Sequence, residues 1–139
     1  MTIITKNIQV KSKGENDMID VTKQTSRLLE ESKLDEGIVT IFVPGSTAAV
    51  STIEYEPGLI NDFPEMLSRV VPKDIGYKHD KTWHDGNGHS HVRASLIGPS
   101  LTIPFKDGNL MIGTWQQIVL LEMDTRHRER NVVLQIIGE

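Results

Sequence analysis

The chain has 139 residues, 37% of them hydrophobic and 24% charged, with 15 Lys and Arg against 19 Asp and Glu, which gives a formal net charge of −4. This composition fits a single globular domain over residues 1–139, with no run near the roughly 20 apolar residues of a membrane span and no signal-peptide core. The absence of cysteine excludes disulfides, thiolate metal sites and thiol catalysis, and the net charge disfavours general nucleic-acid binding, so we expect a cytoplasmic protein without membrane or nucleic-acid partners.

The first third of the chain predicts two strands separated by a helix. Residues 1–11 carry β-branched side chains in partial alternation, which indicates an opening strand. A helix is predicted over Met18–Ser32, with Asn16 or Asp17 as its N-terminal cap, because apolar residues recur there at helical spacing. The short apolar run Ile38–Val43 predicts a strand that is buried on both faces.

The middle of the chain predicts one helix and one loop. Apolar residues recur at helical spacing over Leu59–Val71, and Pro72 ends that helix, while Pro64 lies near its first turn, where proline is tolerated. The segment Gly76–Ser90 is polar, contains glycine and has no periodicity, so we interpret it as a loop.

The last third predicts strands. Ser100–Phe105 and Leu110–Ile112 flank an Asp107-Gly108 pair, which is typical of a two-residue hairpin turn. Apolar runs over Gln116–Asp124 and Asn131–Gly138 indicate two long strands, at least one of them covered on both faces. The order of elements predicts an α+β domain with a mixed, largely antiparallel sheet and two main helices.

The most unusual local feature is a cluster of histidines. His79, His84, His89 and His91 lie within 13 residues, in a polar setting. If the chain is extended at its end, His89 and His91 point to one side and can bind one ion, with His79 or His84 as a third ligand. Three neutral imidazoles with one open position are the usual arrangement of catalytic zinc, and nickel, iron and manganese are alternatives.

The alternative interpretation of this cluster is that its histidines are exposed or make structural hydrogen bonds. Asp80 and Asp85 could orient imidazole N–H groups around a metal, although acidic residues also accompany histidines in solvated loops. The concentration of histidines in a polar segment favours the metal site.

An alternating arginine run indicates a second candidate site. In an extended segment Arg126, Arg128 and Arg130 would face one way and form a binding site for phosphate or carboxylate, which Arg93 could join from another element. The alternative is a solvated turn in which these arginines pair with neighbouring carboxylates.

Glu54 is the candidate general base. It follows a stretch of small residues, Gly45–Ala49, that would let backbone approach a ligand closely. Beside a metal-bound water its carboxylate could accept a proton, and a plain surface role is the alternative.

These residues resemble the YjbQ-like family, and the resemblance extends over nearly the whole chain. The pattern around the Gly-Thr-Trp-Gln sequence, preceded by His and Asn-x-x-x-His, is specific to that family. The residues that carry the resemblance are Thr47-Ala48-Ala49, Glu54, Tyr77-Lys78-His79, Asn87, Ser90-His91, Leu96-Ile97-Gly98, Ser100, Ile103-Pro104, Gly108, Gly113-Thr114-Trp115-Gln116, Glu122, the Asp124–Arg130 run and the C-terminal Ile-Gly-Glu.

The resemblance implies an α+β subunit of a homotrimer with polar sites near subunit boundaries. His79 and His91 match positions that recur as histidine in such proteins. Many relatives also have a histidine before Thr-Thr or Thr-Ser, where this chain has Gly45-Ser46-Thr47, and the additional His89 or His84 could replace it.

The family consists of small trimeric proteins of poorly defined role, for which a weak secondary thiamine-phosphate synthase activity has been reported. That reaction suits Mg²⁺ on carboxylates better than a nitrogen-rich site. We therefore expect a divalent metal, with zinc favoured, and metal-assisted hydrolysis or rearrangement of a small phosphorylated or anionic metabolite. The alternatives are a non-catalytic trimer that binds a small anion or metal, and a structural interaction module.

Overall fold

The computed structural model describes residues 1–139, which form eight strands and four helices. In chain order these are β1 (Thr2–Lys11), β2 (Met18–Asp20), α1 (Thr22–Ser32), β3 (Gly37–Phe42), β4 (Ala48–Ile53), α2 (Pro57–Val70), α3 (Lys78–Trp83), α4 (Gly88–Ile97), β5 (Ser100–Lys106), β6 (Asn109–Leu110), β7 (Gln117–Glu122) and β8 (Glu129–Gly138). None of the four helices has the length and apolar character needed to cross a membrane.

The strands form two antiparallel sheets. One has five strands in the order β1-β8-β3-β5-β6, and the other has three in the order β2-β7-β4. Every strand pair is antiparallel. The α+β class with a largely antiparallel sheet is therefore confirmed. Besides the two predicted helices, the structure contains two that were not predicted, α3 and α4.

The buried strand β7 lies between two apolar clusters. Ile118 and Leu120 belong to a cluster of 17 buried residues that also contains side chains from α1 and from the five-stranded sheet. Val119 and Leu121 belong to a second cluster of seven, which α2 and α4 cover from the other side. Successive side chains of a strand point to opposite faces, so a continuous apolar run fills both clusters, as the sequence predicts for at least one strand.

One expectation about the other strands was wrong, and one strand was not predicted at all. In β3, Val39 and Ile41 are fully buried, but Ile38 and Phe42 are each 41% exposed, so only one face of this strand is covered. The small-residue stretch leads directly into β4, which the sequence did not predict because alanines have low strand propensity. Its small side chains fit where β4 packs under α4.

The first helix begins later than predicted. Met18–Asp20 forms β2, which pairs with β7, and α1 begins only at Thr22. The expected caps Asn16 and Asp17 lie before the strand, and the Asp20 carboxylate instead accepts hydrogen bonds from the backbone N–H and the hydroxyl of Thr22. The pairing of a buried Met18 with β7 overrides the local helical pattern.

The second helix and the hairpin agree with the sequence. α2 begins at Pro57, where the carboxylate of Glu56 accepts the N–H groups of Gly58 and Leu59. Pro64 was expected near the first turn but lies in the interior of the helix, because the helix begins earlier than predicted. Asp107 and Gly108 both have positive φ, 52° and 70°, as a tight hairpin turn requires.

Candidate functional site

The predicted loop Gly76–Ser90 is largely helical, because it contains α3 and the start of α4. Asp80 of α3 accepts the backbone N–H of Gly88 at 2.8 Å, so α3 caps α4. A Cβ at Gly88 would lie 2.5 Å from Cβ of Tyr77, and only glycine fits there. The loop prediction failed because neither short helix has an apolar stripe, and packing rather than periodicity holds them.

The helical conformation of α4 separates the two histidines of the His-x-His pair. Residues two apart on a helix point about 200° apart, whereas the sequence expectation placed them on one side of an extended chain. His89 is buried and hydrogen-bonds through Nε2 to Glu15. The ring of His91 instead lies against that of His79, with centroids 4.4 Å apart and planes inclined at 56°.

The expected ligand set of His79, His89 and His91 is therefore not assembled, although two of its members are in contact. His84, the alternative ligand, ends α3 in a left-handed conformation and is exposed. No three side chains of His, Asp or Glu lie close enough together to hold a metal ion by themselves.

The buried His89 and Arg93 belong to a charge network around the half-buried Glu15. Lys73 Nζ lies 2.9 Å from the Glu15 carboxylate, and a guanidinium nitrogen of Arg93 lies 3.8 Å away. Burial alone would raise the pKa of Glu15, but its bonds to Lys73 and His89 outweigh that effect and lower it. This network joins α4 to the β1–β2 connection and to the segment that follows α2.

His89→Ala is expected to lower the free energy of unfolding by about 1–3 kcal/mol, because it removes the buried hydrogen-bond donor to Glu15. Urea denaturation at pH 7 measures this change. The matched variant His127→Ala changes an exposed histidine and is expected to shift stability by less than about 0.5 kcal/mol. Equal losses in the two variants would contradict a structural role for His89.

On the other side of α4, His79 belongs to a chain of polar contacts that ends at a buried carboxylate. His79 Nε2 lies 3.0 Å from Oδ1 of Asn87, and Asn87 Nδ2 lies 3.4 Å from Oδ1 of Asp124. Asp124 also accepts hydrogen bonds from the hydroxyl of Thr47 and from Nε of Arg128, at 3.2 and 2.8 Å. These residues come from four different parts of the chain.

Asp124 remains ionised throughout the physiological range. Burial alone would raise its pKa, but hydrogen bonds from Arg128, Thr125 and Asn87 outweigh burial and lower the pKa to about 2. An ionised carboxylate accepts hydrogen bonds only, so its neighbours must present donors to it.

A second buried ion pair lies behind this chain. Nε of Arg130 donates to Oε1 of Glu122 at 2.9 Å, and its Nη2 bonds both Oε2 of Glu122 and the Thr47 hydroxyl. Ser12 donates to the same carboxylate at 2.7 Å. The pair therefore links the ends of β4, β7 and β8 beneath the site.

The expected row of arginines does not form. β8 begins only at Glu129, and the preceding residues make a turn, so the guanidinium groups point in different directions. Arg130 is buried against its carboxylate, and Arg93 is buried with its Nε on the carbonyl of Val71. Neither is available to an anion. Arg128 is half-buried on Asp124, and exposed Arg126 makes no hydrogen bond or ion pair.

An open polar cavity of about 290 Å³ lies beside His79, because Asn87, which contacts the His79 ring, is one of its lining residues. Asp85, one of its lining residues, lies 4.0 Å from His79 Nε2. The lining residues are Asp85, Asn87, Asp124, Thr125, Arg126 and Arg128.

Glu54 is not near this cavity within one protomer. It follows the last residue of β4, whereas Thr47 precedes the first, and the strand between them spans about 20 Å. Of the small-residue stretch, Gly45 and Ser46 are exposed, Thr47 bonds Asp124, and Ala48 and Ala49 belong to β4 and pair with β7. The expected adjacency of Glu54 and the histidines is therefore not found.

Three residues connect the site. Sequence reasoning gave no role to Asn87 or Thr47 and named Asp124 only as an ion-pair partner of the nearby arginines, which it is for Arg128. Asn87 and Asp124 lie 37 positions apart, and only the folded register of β4 against β7 brings Thr47 to Asp124. The one available signal was that all three lie in segments that resemble the YjbQ-like family.

Comparison with known proteins agrees with that resemblance. Residues 6–139 match the family model described as UPF0047 protein YjbQ-like. The chain is 38% identical over 117 residues to a UPF0047 protein of Archaeoglobus fulgidus, which covers 84% of this chain and 89% of that protein. It is 34% identical over 139 residues to a UPF0047 protein of Methanothermobacter thermautotrophicus, covering 100% and 95%.

Solved structures show the same fold. A YbjQ-like protein of unknown function from Sulfolobus solfataricus superimposes with a TM-score of 0.93, 33% identity and 99% of each chain covered. A hypothetical protein from Aeropyrum pernix gives a TM-score of 0.90 with 35% identity, covering 98% of this chain and 99% of that one. The full-length match in sequence and in fold identifies this chain as a member of the UPF0047 YjbQ-like family.

Proposed function

We propose that the protein binds a divalent metal between His79 and His91 and acts on a small anionic or phosphorylated metabolite in the adjoining cavity. The observation that carries this proposal is the contact between the two imidazoles at 4.4 Å in a polar, solvent-accessible place. The imidazole of His91 makes no hydrogen bond within the chain, and that of His79 uses only one ring nitrogen, so each ring retains a nitrogen for a ligand.

The donor set fits zinc as a partial site. Neutral imidazoles are preferred zinc ligands, and a catalytic zinc leaves at least one position for water or substrate. With two protein nitrogens, the remaining positions belong to water, to substrate or to a neighbouring subunit. When bound, such an ion lowers the pKa of water and polarises a substrate oxygen.

The cavity favours an anionic substrate. Arg126 has no carboxylate partner, so its guanidinium is free to donate two parallel hydrogen bonds to a phosphate or carboxylate. Arg128 adds positive charge at the wall while it stays bound to Asp124. Together they replace the four-arginine site that the sequence led us to expect.

This chemistry favours metal-assisted hydrolysis or rearrangement over thiamine-phosphate synthesis, which calls for Mg²⁺ on several carboxylates. Because Glu54 lies away from the histidines, it cannot act as the base at this cavity within one protomer, whereas the carboxylate of Asp85 lines the cavity. We further propose, from the family resemblance, that the protein is a homotrimer, which light scattering after size exclusion tests directly.

Zinc titration of the full chain by calorimetry tests the metal site. His79→Ala and His91→Ala are each expected to weaken Zn²⁺ binding by more than about tenfold, because each removes a ligand rather than a neighbour of one. His84→Ala is the matched control, since that histidine lies nearby but outside the pair, and it should bind as the wild type does. Equal affinity in all four proteins would overturn the proposal.

A screen of phosphorylated and carboxylated metabolites, with and without Zn²⁺, tests for turnover. The proposal expects a zinc-dependent reaction that His91→Ala abolishes and that Arg126→Ala weakens through KM. Metabolite binding without turnover in the zinc-loaded protein would instead support the non-catalytic alternative.

A further inference from the structure

We propose that Asp124 acts through Asn87 to hold His79 with its proton on Nε2, so that Nδ1 is the ring nitrogen offered to a metal or a substrate proton. In this role Asn87 and Asp124 are positioning residues. The use of Nδ1 rests on the proposed function, whereas the position of the proton does not.

The first step is the direction of the Asn87 side chain. An asparagine amide can face either way, and only its hydrogen-bond partners decide between the two orientations. Asp124 is buried and bonded to Arg128, so it is a carboxylate that accepts hydrogen bonds and donates none. The nitrogen of the Asn87 amide must therefore face Asp124, as observed at 3.4 Å.

The second step concerns the His79 imidazole, whose tautomer depends on which atom of the Asn87 amide faces it. With its nitrogen facing Asp124, Asn87 presents its carbonyl oxygen to His79 Nε2 at 3.0 Å. A carbonyl oxygen accepts only, so Nε2 must carry the proton and the neutral ring keeps its lone pair on Nδ1. The carboxylate–amide–imidazole order thus selects one of the two tautomers.

Asn87 is held in this role instead of a more common one. It precedes the first residue of α4, where asparagine usually caps the helix with its side chain, yet it makes no such bond. The side chain that caps the start of α4 is instead that of Asp80, which accepts the N–H of Gly88, the first residue of the helix. The Asn87 amide is thereby free to connect His79 to Asp124.

Asp85 is the competing explanation, because its carboxylate also lies near His79 Nε2. At 4.0 Å it is beyond hydrogen-bond distance, and its side chain is 45% exposed. A water-mediated contact from this residue would select the same tautomer, so the two sources must be separated by substitution.

Nitrogen NMR of the metal-free full-length protein, labelled with ¹⁵N-histidine at pH 8, measures the tautomer directly. We expect His79 to show the Nε2–H form alone, while the exposed His84 shows the mixture typical of free imidazole in the same spectrum. In Asn87→Ala, His79 is expected to relax to that mixture. In Asp124→Asn, the amide can turn round, and the Nδ1–H form should increase.

Asp85→Asn is the matched control and should leave the His79 tautomer unchanged. A His79 that carries its proton on Nδ1 in the wild type would overturn the proposal, as would a shift in Asp85→Asn without one in Asn87→Ala. The His79 tautomer is measured in the wild type as well as in the variants, so the proposal is still tested if one variant fails to fold.

Zinc addition separates this inference from the proposed function. Bound Zn²⁺ should shift the Nδ1 resonance of His79 while Nε2 keeps its proton, and Asn87→Ala should weaken Zn²⁺ binding about 10–100-fold. Loss of the Nε2 proton on zinc binding would overturn the assignment of Nδ1. Absence of zinc binding would overturn the proposed function and leave the tautomer result standing.

Discussion

Arg130→Met is expected to lower the free energy of unfolding by about 3–5 kcal/mol, the largest loss for any single substitution considered for this protein. The carboxylate of Glu122 is completely buried, and Arg130 supplies its only cationic partner. Methionine retains the apolar volume of the arginine stem but leaves that carboxylate with Ser12 and one backbone N–H. Urea denaturation at pH 7 and fixed protein concentration measures the loss.

The size of this effect follows from desolvation. A buried ion pair contributes little net stability compared with apolar side chains of the same volume, whereas one unpartnered buried charge is costly. The double variant Glu122→Leu with Arg130→Met is therefore expected to recover most of the stability that Arg130→Met loses. It also removes the bonds that Glu122 accepts from Ser12 and from the Asp124 N–H, so a loss of about 1–3 kcal/mol should remain.

Arg69→Met is the matched control. Arg69 pairs with Glu65 one turn away on α2, at 3.1 Å, and both side chains are about two-thirds exposed. Exposed helical pairs of this kind contribute about 0.3–0.5 kcal/mol, so its loss should be small. If Arg130→Met lowered the free energy of unfolding by less than about 1 kcal/mol, the Glu122 carboxylate would have to be solvated or to find another partner, contrary to its burial.

The parts of the fold that follow from apolar periodicity could be predicted from the sequence. The helix that begins near Leu59 and the hairpin at Asp107-Gly108 were placed correctly, because each has a strong local pattern. Strand β2 could not be predicted, since its three residues lie inside a helical pattern and pair with a strand about 100 positions away. Short helices without an apolar face, such as α3, give no periodic pattern.

The site could be predicted only in part, for the same reason. The contact between His79 and His91 agrees with the expectation that the cluster brings imidazoles together. His89 was misplaced because the two-residue period of a strand was applied where the chain is a helix. The connection from Asn87 to Asp124 depends on the packing of α4 over the strand ends, which no local pattern encodes.

Asp124→Asn is expected to cost about 2 kcal/mol of stability at pH 7, and this difference from the wild type should shrink as the pH falls. The pKa of Asp124 in the folded protein is about 2, against an ordinary value of 3.8. A lowered pKa means that the stabilisation is complete above pH 3.8 and is lost as the pH falls through 2. Each unit of pKa difference corresponds to about 1.4 kcal/mol.

Urea denaturation from pH 7 down to the lowest pH at which the wild type stays folded tests this expectation. Asp62→Asn, on the exposed face of α2, is the matched control and should follow the wild-type curve at every pH. Glu15, whose pKa is also lowered, keeps its contribution in all three proteins and cancels from the comparison. If the deficit of Asp124→Asn stayed constant as the pH fell below 3.8, its cause would be lost packing or hydrogen bonding by the amide.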